Sequence, residues 1–187
     1  MAFSAGTTRS SGYKVLATDY NGIINNVNYL GSGTAGTGRP AVMATSVLDT
    51  SLTAATWTNM LFASEEYDTG AMHSTVTNTG RLTVVDAGLY QVTASVNLNA
   101  YAAGTKSCGL MLRKNAAASP SGGTLIAYSM SMLSTNALFV SASELNTHVR
   151  LAAADYLELF VMQDSGAALV LKGSVLAHRF GALWMSA

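Results

Sequence analysis

Apolar and polar residues alternate along most of the chain after Pro40, which is the pattern of half-buried β-strands. From Tyr90 to Leu98 every second residue is apolar, and Gln, Thr, Ser and Asn fill the positions between them. Shorter apolar segments with turn residues around them occur at 82–84, 110–112, 149–151 and 169–171. Strand signals thus recur about every 8–12 residues, with no convincing helical period after residue 40. The pattern predicts an all-β sandwich or barrel.

Two segments depart from this alternation because both of their faces are apolar. In residues 156–162, Leu157, Leu159 and Val161 lie on one face, and the opposite face is also largely apolar. The C-terminal segment has the same property, with one apolar set opposing another: Phe180, Ala182 and Trp184 against Leu183 and Met185. A strand that is apolar on both faces is normally buried on both. We expect another subunit to cover the second face, or alternatively the N-terminal arm. The predicted subunit interface comprises Tyr156, Phe160, Met162 and Trp184.

The first 40 residues have a different character. Residues 1–17 fit an extended arm, and residues 18–31 fit a short helix that begins at Thr18 and ends at Gly31. The apolar residues of this helix form one stripe: Tyr20, Ile23, Ile24, Val27 and Leu30. So short a helix is marginal in water, so the stripe needs a partner, either its own copies or another protein. Residues 31–40 form a Gly-rich linker. We therefore divide the chain into an anchor, residues 1–40, and a head, residues 41–187.

Charge is sparse and balanced. Ten Lys and Arg residues against ten Asp and Glu give a net charge of zero, and charged residues are 11% of the chain. An average soluble domain has about 25%. The chain lacks the basic surface that nucleic-acid binding requires, and a nearly uncharged surface associates readily with other proteins. There is no secretory signal and no apolar stretch of membrane-spanning length, so we expect synthesis in the cytoplasm and no membrane partner.

Candidate chemistry is weak throughout. Residues 31–36 match the Gly-x-Gly-x-x-Gly dinucleotide fingerprint, but a helix precedes them and a linker follows, the reverse of the required order. The single cysteine, Cys108, fits a buried apolar position, and no nucleophile-elbow serine is present. We expect His148 and His178 to make hydrogen bonds in the core or at an interface. We predict no catalytic residues, no cofactor and no metal.

One titratable cluster stands out by its density. It comprises Glu65, Glu66, Asp68 and His73. Paired carboxylates can perform acid–base chemistry, and a histidine can join a metal site. However, Glu65 and Glu66 are adjacent and point to opposite faces of a strand. We therefore interpret the cluster as a solvated strand and turn.

From Pro40 onward the chain resembles the C1q/TNF-like jelly roll in the form found in bacteriophage virion proteins. The matching segments follow one another in the family's order: 40–44, 57–62, 66–70, 80–84, 87–92, 112–115, 151–159 and 180–183. Residues 87–92, Ala-Gly-Leu-Tyr-Gln-Val, match the Gly-x-Tyr strand, and Phe180-Gly181-Ala182-Leu183 matches the closing strand. Ala154 stands where the family usually has Gly, and Asp86 where it usually has Pro.

The resemblance implies an antiparallel jelly roll that trimerises about a three-fold axis and has no enzymatic activity. We accordingly expect a homotrimeric decoration or head-fibre protein on the virion surface, held by residues 1–40 to other virion proteins such as the major capsid protein. The alternative is the receptor- or glycan-binding head of a tail fibre, with Tyr67, Tyr101 and Tyr128 as candidate aromatic platforms.

Overall fold

The computed structural model describes Asn21 and residues 39–98, 107–132 and 141–187. Within these residues the chain forms twelve strands: β1 Ala41–Ser46, β2 Asp49–Leu52, β3 Thr58–Asn59, β4 Ser64–Asp68, β5 Arg81–Thr83, β6 Gly88–Leu98, β7 Ser107–Lys114, β8 Thr124–Met132, β9 Ser141–Leu151, β10 Tyr156–Gln163, β11 Leu169–Lys172 and β12 His178–Ser186. Asn21 is helical, and all five residues of the predicted stripe, Tyr20, Ile23, Ile24, Val27 and Leu30, lie outside the described residues, as does Tyr101. The all-β prediction for the head is confirmed.

The strands form two antiparallel sheets. The larger sheet has the order β2-β11-β6-β12-β1-β4, with β9 on the other side of β6. The smaller sheet has the order β3-β10-β7-β8, and β5 also pairs with β10. β8 and β9 meet at one lateral seam, where the hydroxyls of Ser131 and Ser143 are 3.1 Å apart. Apart from β7 and β8, which follow one another in the chain, the paired strands are distant in sequence, so the fold depends on long-range pairing.

The core lies between the two sheets. Along β6 the even-numbered side chains from Tyr90 to Leu98 are buried and face the smaller sheet, as the alternation predicts. Across the core, β7 and β10 contribute Leu110, Leu112, Leu157, Leu159 and Val161, all 0% exposed. The prediction that residues 157, 159 and 161 form the core face of β10 is confirmed.

Trp184 belongs to this core, which corrects its assignment to a subunit interface. Its side chain is 8% exposed and packs with the core residues, and its indole N–H donates to the carbonyl of Ala87 at 3.3 Å. Gly88 makes room for the ring, because a Cβ there would collide with Trp184 Nε1 and the Ser186 carbonyl. Leu183 and Met185, the other apolar set, are exposed at 44% and 40%. Both faces of this strand are apolar, so alternation could not choose between them.

Phe160 requires a second correction. It lies on the outer face of β10, as predicted, but it is 0% exposed within the single chain. Its cover is a small cluster formed by Met111, Ala116 and the partly buried Trp57. Loops of the same chain therefore cover this face at Phe160, in place of another subunit or the N-terminal arm.

The turn before β10 departs from the usual residue preference. Ala154 has φ of 69°, a left-handed conformation that glycine adopts easily and alanine does not. Its backbone N–H donates to the Val84 carbonyl at 2.8 Å, and the neighbouring Asp155 N–H donates to the carbonyl of Ala152 at 3.1 Å. Asp86, which stands where the family usually has Pro, accepts a hydrogen bond from the Tyr90 hydroxyl on its backbone carbonyl at 2.7 Å. The turns form despite both replacements.

Candidate functional site

An apolar patch lies on the outer face of the larger sheet. We call it the large-sheet patch; it consists of Met43, Tyr67, Leu183 and Met185. Tyr67 is 47% exposed and pairs with Met43, and the Met43 side chain lies over Gly181, where a Cβ would meet its Cε at 2.7 Å. A groove of about 210 Å³ continues from Met43 along this face between Thr93, Glu144 and Arg179. His148 is exposed on the same face, on β9.

A second apolar surface lies on β8, and it has the reverse of the expected orientation. Tyr128, Met130 and Met132, the β8 patch, are 48%, 55% and 62% exposed. The serines between them, Ser129 and Ser131, are half-buried and point inward. An amphipathic strand at the surface normally places its apolar residues inward. In β8, Ile126 and Ala127 pack against the core, but the three apolar residues of the β8 patch face outward.

Trp57 connects the β8 patch to the rest of the smaller sheet. Its ring meets that of Tyr128 edge-on, with centroids 5.8 Å apart. Both rings lie over Gly109 of β7, where a Cβ would come within 3.0 Å of Trp57 and 3.2 Å of the Tyr128 hydroxyl. The half-buried Met162 follows on β10, paired with Gly109. Of the predicted interface residues, Met162 is thus the one adjacent to this exposed surface.

Tyr156 has a structural role in the same sheet. Its hydroxyl accepts the N–H of Ala117 at 3.2 Å, and the Arg81 guanidinium lies 4.3 Å from its ring centroid. Arg81 Nε also donates to Glu158 at 2.9 Å, and the 1% exposed Glu158 carboxylate accepts the N–H of Ala118 at 3.1 Å. These bonds hold the loop after β7, in which Ala117 and Ala118 have φ of 53° and 58°. They fix the loop that covers Phe160.

The acidic cluster is a structural element as well. Asp68 accepts backbone N–H groups from Gly70, Met72 and His73. The ring of His73 contacts Glu65 Oε1 at 2.8 Å and donates from Nε2 to the Thr79 carbonyl at 3.0 Å. Its side chain is 0% exposed, so the prediction of a solvated strand and turn is wrong for this residue. The described parts of the chain contain no group of three residues that could hold a metal ion.

Glu66 points away from this loop and forms an ion pair with Arg179 at 2.7 Å. The opposite orientation of Glu65 and Glu66 agrees with their adjacent places in β4. Cys108 is buried, as predicted, and burial raises the pKa of its thiol to about 12. In residues 39–98, 107–132 and 141–187, we find no helix long and apolar enough to cross a bilayer.

Comparison with solved structures gives a consistent answer on the fold. Murine APRIL at pH 5.0 superposes with a TM-score of 0.57 at 14% identity, covering 79% of this chain and 99% of that one. The globular domain of zebrafish complement 1qA gives 0.52 at 13% identity, with the same coverages. Eiger TNF from S. frugiperda gives 0.51 at 13% identity, covering 79% of this chain and 94% of that one. The fold is a C1q/TNF-like jelly roll.

At such low identity the likeness is one of fold. No protein-family model matches the chain, and no curated protein matches it either. The segments that carry the sequence resemblance are structural in this jelly roll. Gly88 and Tyr90 begin β6 beside Trp184, and Phe180 and Gly181 of β12 pair with Ala94 and Thr93 farther along β6. Of the two exposed apolar patches, the β8 patch lies outside these segments, whereas Met43, Tyr67 and Leu183 of the large-sheet patch lie within them.

Proposed function

We propose that the protein is a non-enzymatic, homotrimeric component of a bacteriophage virion surface, in which residues 1–40 attach the jelly-roll head to other virion proteins such as the major capsid protein. The inverted orientation of β8 carries the proposal. A monomer would expose Tyr128, Met130 and Met132 on a strand whose serines point inward. Exposed apolar surface of this kind is typical of an interface.

The two patches suit a ring of identical subunits. A cyclic trimer uses two different surfaces of each copy, because every contact joins one surface of a subunit to another surface of its neighbour. The β8 patch and the large-sheet patch lie on different sheets and supply such a pair. The low charge of the chain, 11%, leaves little repulsion to oppose their association. In this arrangement the interface consists of Tyr67, Leu183, Tyr128, Met130 and Met132.

Light scattering on the purified protein tests the oligomer. We expect three times the chain mass of 19.4 kDa at micromolar concentration. Met130→Glu and Leu183→Glu should each give folded monomers, because each places a carboxylate in a surface that assembly desolvates. Val76→Glu is the matched control, since Val76 is 84% exposed in a loop, and its mass should stay unchanged. A monomeric wild-type protein would contradict the trimer.

The attachment role of residues 1–40 needs a separate test. A variant that lacks them should keep the trimer mass and the β-type circular dichroism but fail to join particles. Incorporation at full occupancy would place the attachment surface on the head. Imaging of labelled particles distinguishes a capsid location from a tail location.

The second candidate function, recognition of a host glycan, has one observation in its favour. The Trp57–Tyr128 pair is an aromatic surface over Gly109, and such rings stack on sugar faces. Binding of the isolated head to a glycan array, lost in Trp57→Ala, would favour this function. If Tyr128 is instead covered by a neighbouring subunit, no such binding is expected.

A further inference from the structure

Two loops lie side by side at the end of the head that is farthest along β1 from Pro40. One is the β1–β2 connection with Val47 and Leu48, and the other is the β11–β12 connection, residues 173–177. Their backbones touch, since a Cβ on Gly173 would lie 2.6 Å from the Leu48 carbonyl oxygen. Asp49 joins them further by accepting the N–H of Ser174 at 3.0 Å and its hydroxyl at 2.7 Å. We call this pair of loops the distal loops.

The distal loops present aliphatic side chains to solvent. Val47, Leu48, Val175 and Leu176 are 61%, 62%, 65% and 56% exposed. The closest charges, Asp49 and Lys172, form an ion pair at 2.7 Å. The loops therefore depend on backbone contacts beneath them, because their own side chains bury little surface.

Those contacts converge on Asn97. This residue is 2% exposed, and its side-chain Nδ2 donates to the carbonyls of Leu176 at 2.9 Å and Ala177 at 3.4 Å. Its backbone N–H donates to Nδ1 of His178 at 3.2 Å. His178 pairs with Ser46 on β1, immediately before Val47. Asn97 and His178 together thus lie under both loops.

The bond from Asn97 sets the protonation state of His178. Because Nδ1 accepts a hydrogen bond, the ring is neutral with its proton on Nε2. The residue is 0% exposed, and Nε2 has no hydrogen-bond partner among the described residues. A second proton would have to bind Nδ1. This nitrogen would then be a donor facing the Asn97 N–H, which is also a donor, and could no longer accept its hydrogen bond. Protonation therefore breaks this bond.

The charged surroundings do not compensate for a buried imidazolium. β1 contributes Ser46 and β6 contributes Asn97 beside the ring, and neither titrates. Asp49 is the carboxylate whose charge acts on His178, but it already binds Lys172 and Ser174. Burial lowers the pKa of His178, and the attraction of Asp49 opposes this less strongly.

We propose that His178 is an acid-sensitive latch: in its neutral form it holds the distal loops closed through Asn97, and its protonation releases them. The direction of the pH effect follows from the linkage between protonation of His178 and opening of the loops. An opened histidine has its ordinary pKa of about 6.5, so the open state binds more protons than the closed state below that pH. The closed state has its full stability above about pH 6.5 and loses stability as the pH falls. Opening leaves the rest of the sandwich in place, because the core residues of β7 and β10 do not depend on His178.

Hydrogen exchange of the full-length protein, followed by mass spectrometry from pH 7.5 to 4.5, tests the latch. After correction for intrinsic rates, we expect protection of residues 173–178 and of the Asn97 amide to fall about tenfold for each pH unit from about pH 6.5 down to the lowered pKa of the closed His178 ring. Peptides from β7 and β10 should keep their protection. His178→Gln should remove the pH dependence, and His148→Gln, an exposed histidine on β9, should retain it.

Three results would overturn the proposal. They are loops whose protection does not change with pH, loops that open only together with β7 and β10, and a pH dependence that persists in His178→Gln. Because the variant removes a buried side chain, a second measurement on the wild-type protein is needed. The imidazole chemical shifts of His178 in the closed protein should titrate below the ordinary pKa of about 6.5, because the closed loops favour the neutral ring. A ring that titrates at its ordinary pKa while the loops stay protected would also refute the latch.

Discussion

Phe160→Ala tests the packing of the outer face of β10. The side chain is 0% exposed and contacts Met111, Ala116 and Trp57 of its own chain. Burial of a Phe side chain contributes about 1.5–3 kcal/mol, and the cavity left by its removal raises the total for Phe→Ala to about 3–5 kcal/mol. Trp57 and Ala116 lie on loops that can move toward the cavity. We therefore expect the lower end, about 3 kcal/mol.

Urea denaturation followed by circular dichroism measures this loss. With a denaturant slope of about 2 kcal/mol/M, the midpoint should fall by about 1.5 M at constant protein concentration. Trp57 fluorescence should change in the native state, because the indole packs in the cluster that loses the Phe ring. The oligomeric mass should not change, since Phe160 lies inside one chain.

The alternative gives a different result. If Phe160 faced another subunit, the variant would dissociate under native conditions while each subunit kept its fold. A drop in mass with an unchanged fluorescence spectrum would refute intrachain burial. Val76→Ala is the control, because Val76 is 84% exposed and its truncation should change stability by less than about 0.5 kcal/mol.

Three further substitutions test other parts of the argument by the same urea assay. Glu158→Gln leaves the 25% exposed Arg81 side chain without its buried carboxylate, and should destabilise the head by about 2–3 kcal/mol. A loss below about 0.5 kcal/mol would mean that the ion pair is solvated. Gly88→Ala forces a Cβ against Trp184 and should weaken the near-ultraviolet circular dichroism of that ring as well as stability; a native spectrum would contradict the close approach. Ala154→Gly relieves a left-handed alanine and should stabilise by about 0.5–1 kcal/mol, and a loss of stability would show that the turn has another conformation.

The strands of the core were predictable because burial on one face imposes a period of two. Tyr90 to Leu98 and the 157–161 face of β10 follow that period closely, so their inward residues could be assigned from sequence. Trp184 could not be assigned, since residues on both faces of β12 are apolar. The structure resolves this through Gly88, a residue on a neighbouring strand, whose missing side chain provides the space for the indole. Information of this kind depends on register and is absent from local periodicity.

The cover over Phe160 was missed for a related reason. Trp57 and Ala116 reach it from two loops, and the course of a loop has no periodic signal. Gly109 lets Trp57 approach β7 closely, and its relevance appears only when β7 and β10 are paired in register. An apolar second face on a strand thus predicts that something buries it, but does not identify whether a loop of the same chain or another subunit does so.

The β8 strand gives the strongest argument for assembly because its orientation contradicts its pattern. A shift of one residue in register would turn Met130 and Met132 inward and expose Ser129 and Ser131. Each buried methionine would contribute about 1.5–3 kcal/mol, which in an isolated chain weighs against the observed orientation. The observed register instead places Ser131 against Ser143 at the seam and packs the partly buried Ile126 and Ala127 against the core. A register that leaves this apolar surface exposed on one chain is favourable if another subunit covers it. In a ring of three subunits, three equivalent contacts would cover the β8 patch of every copy.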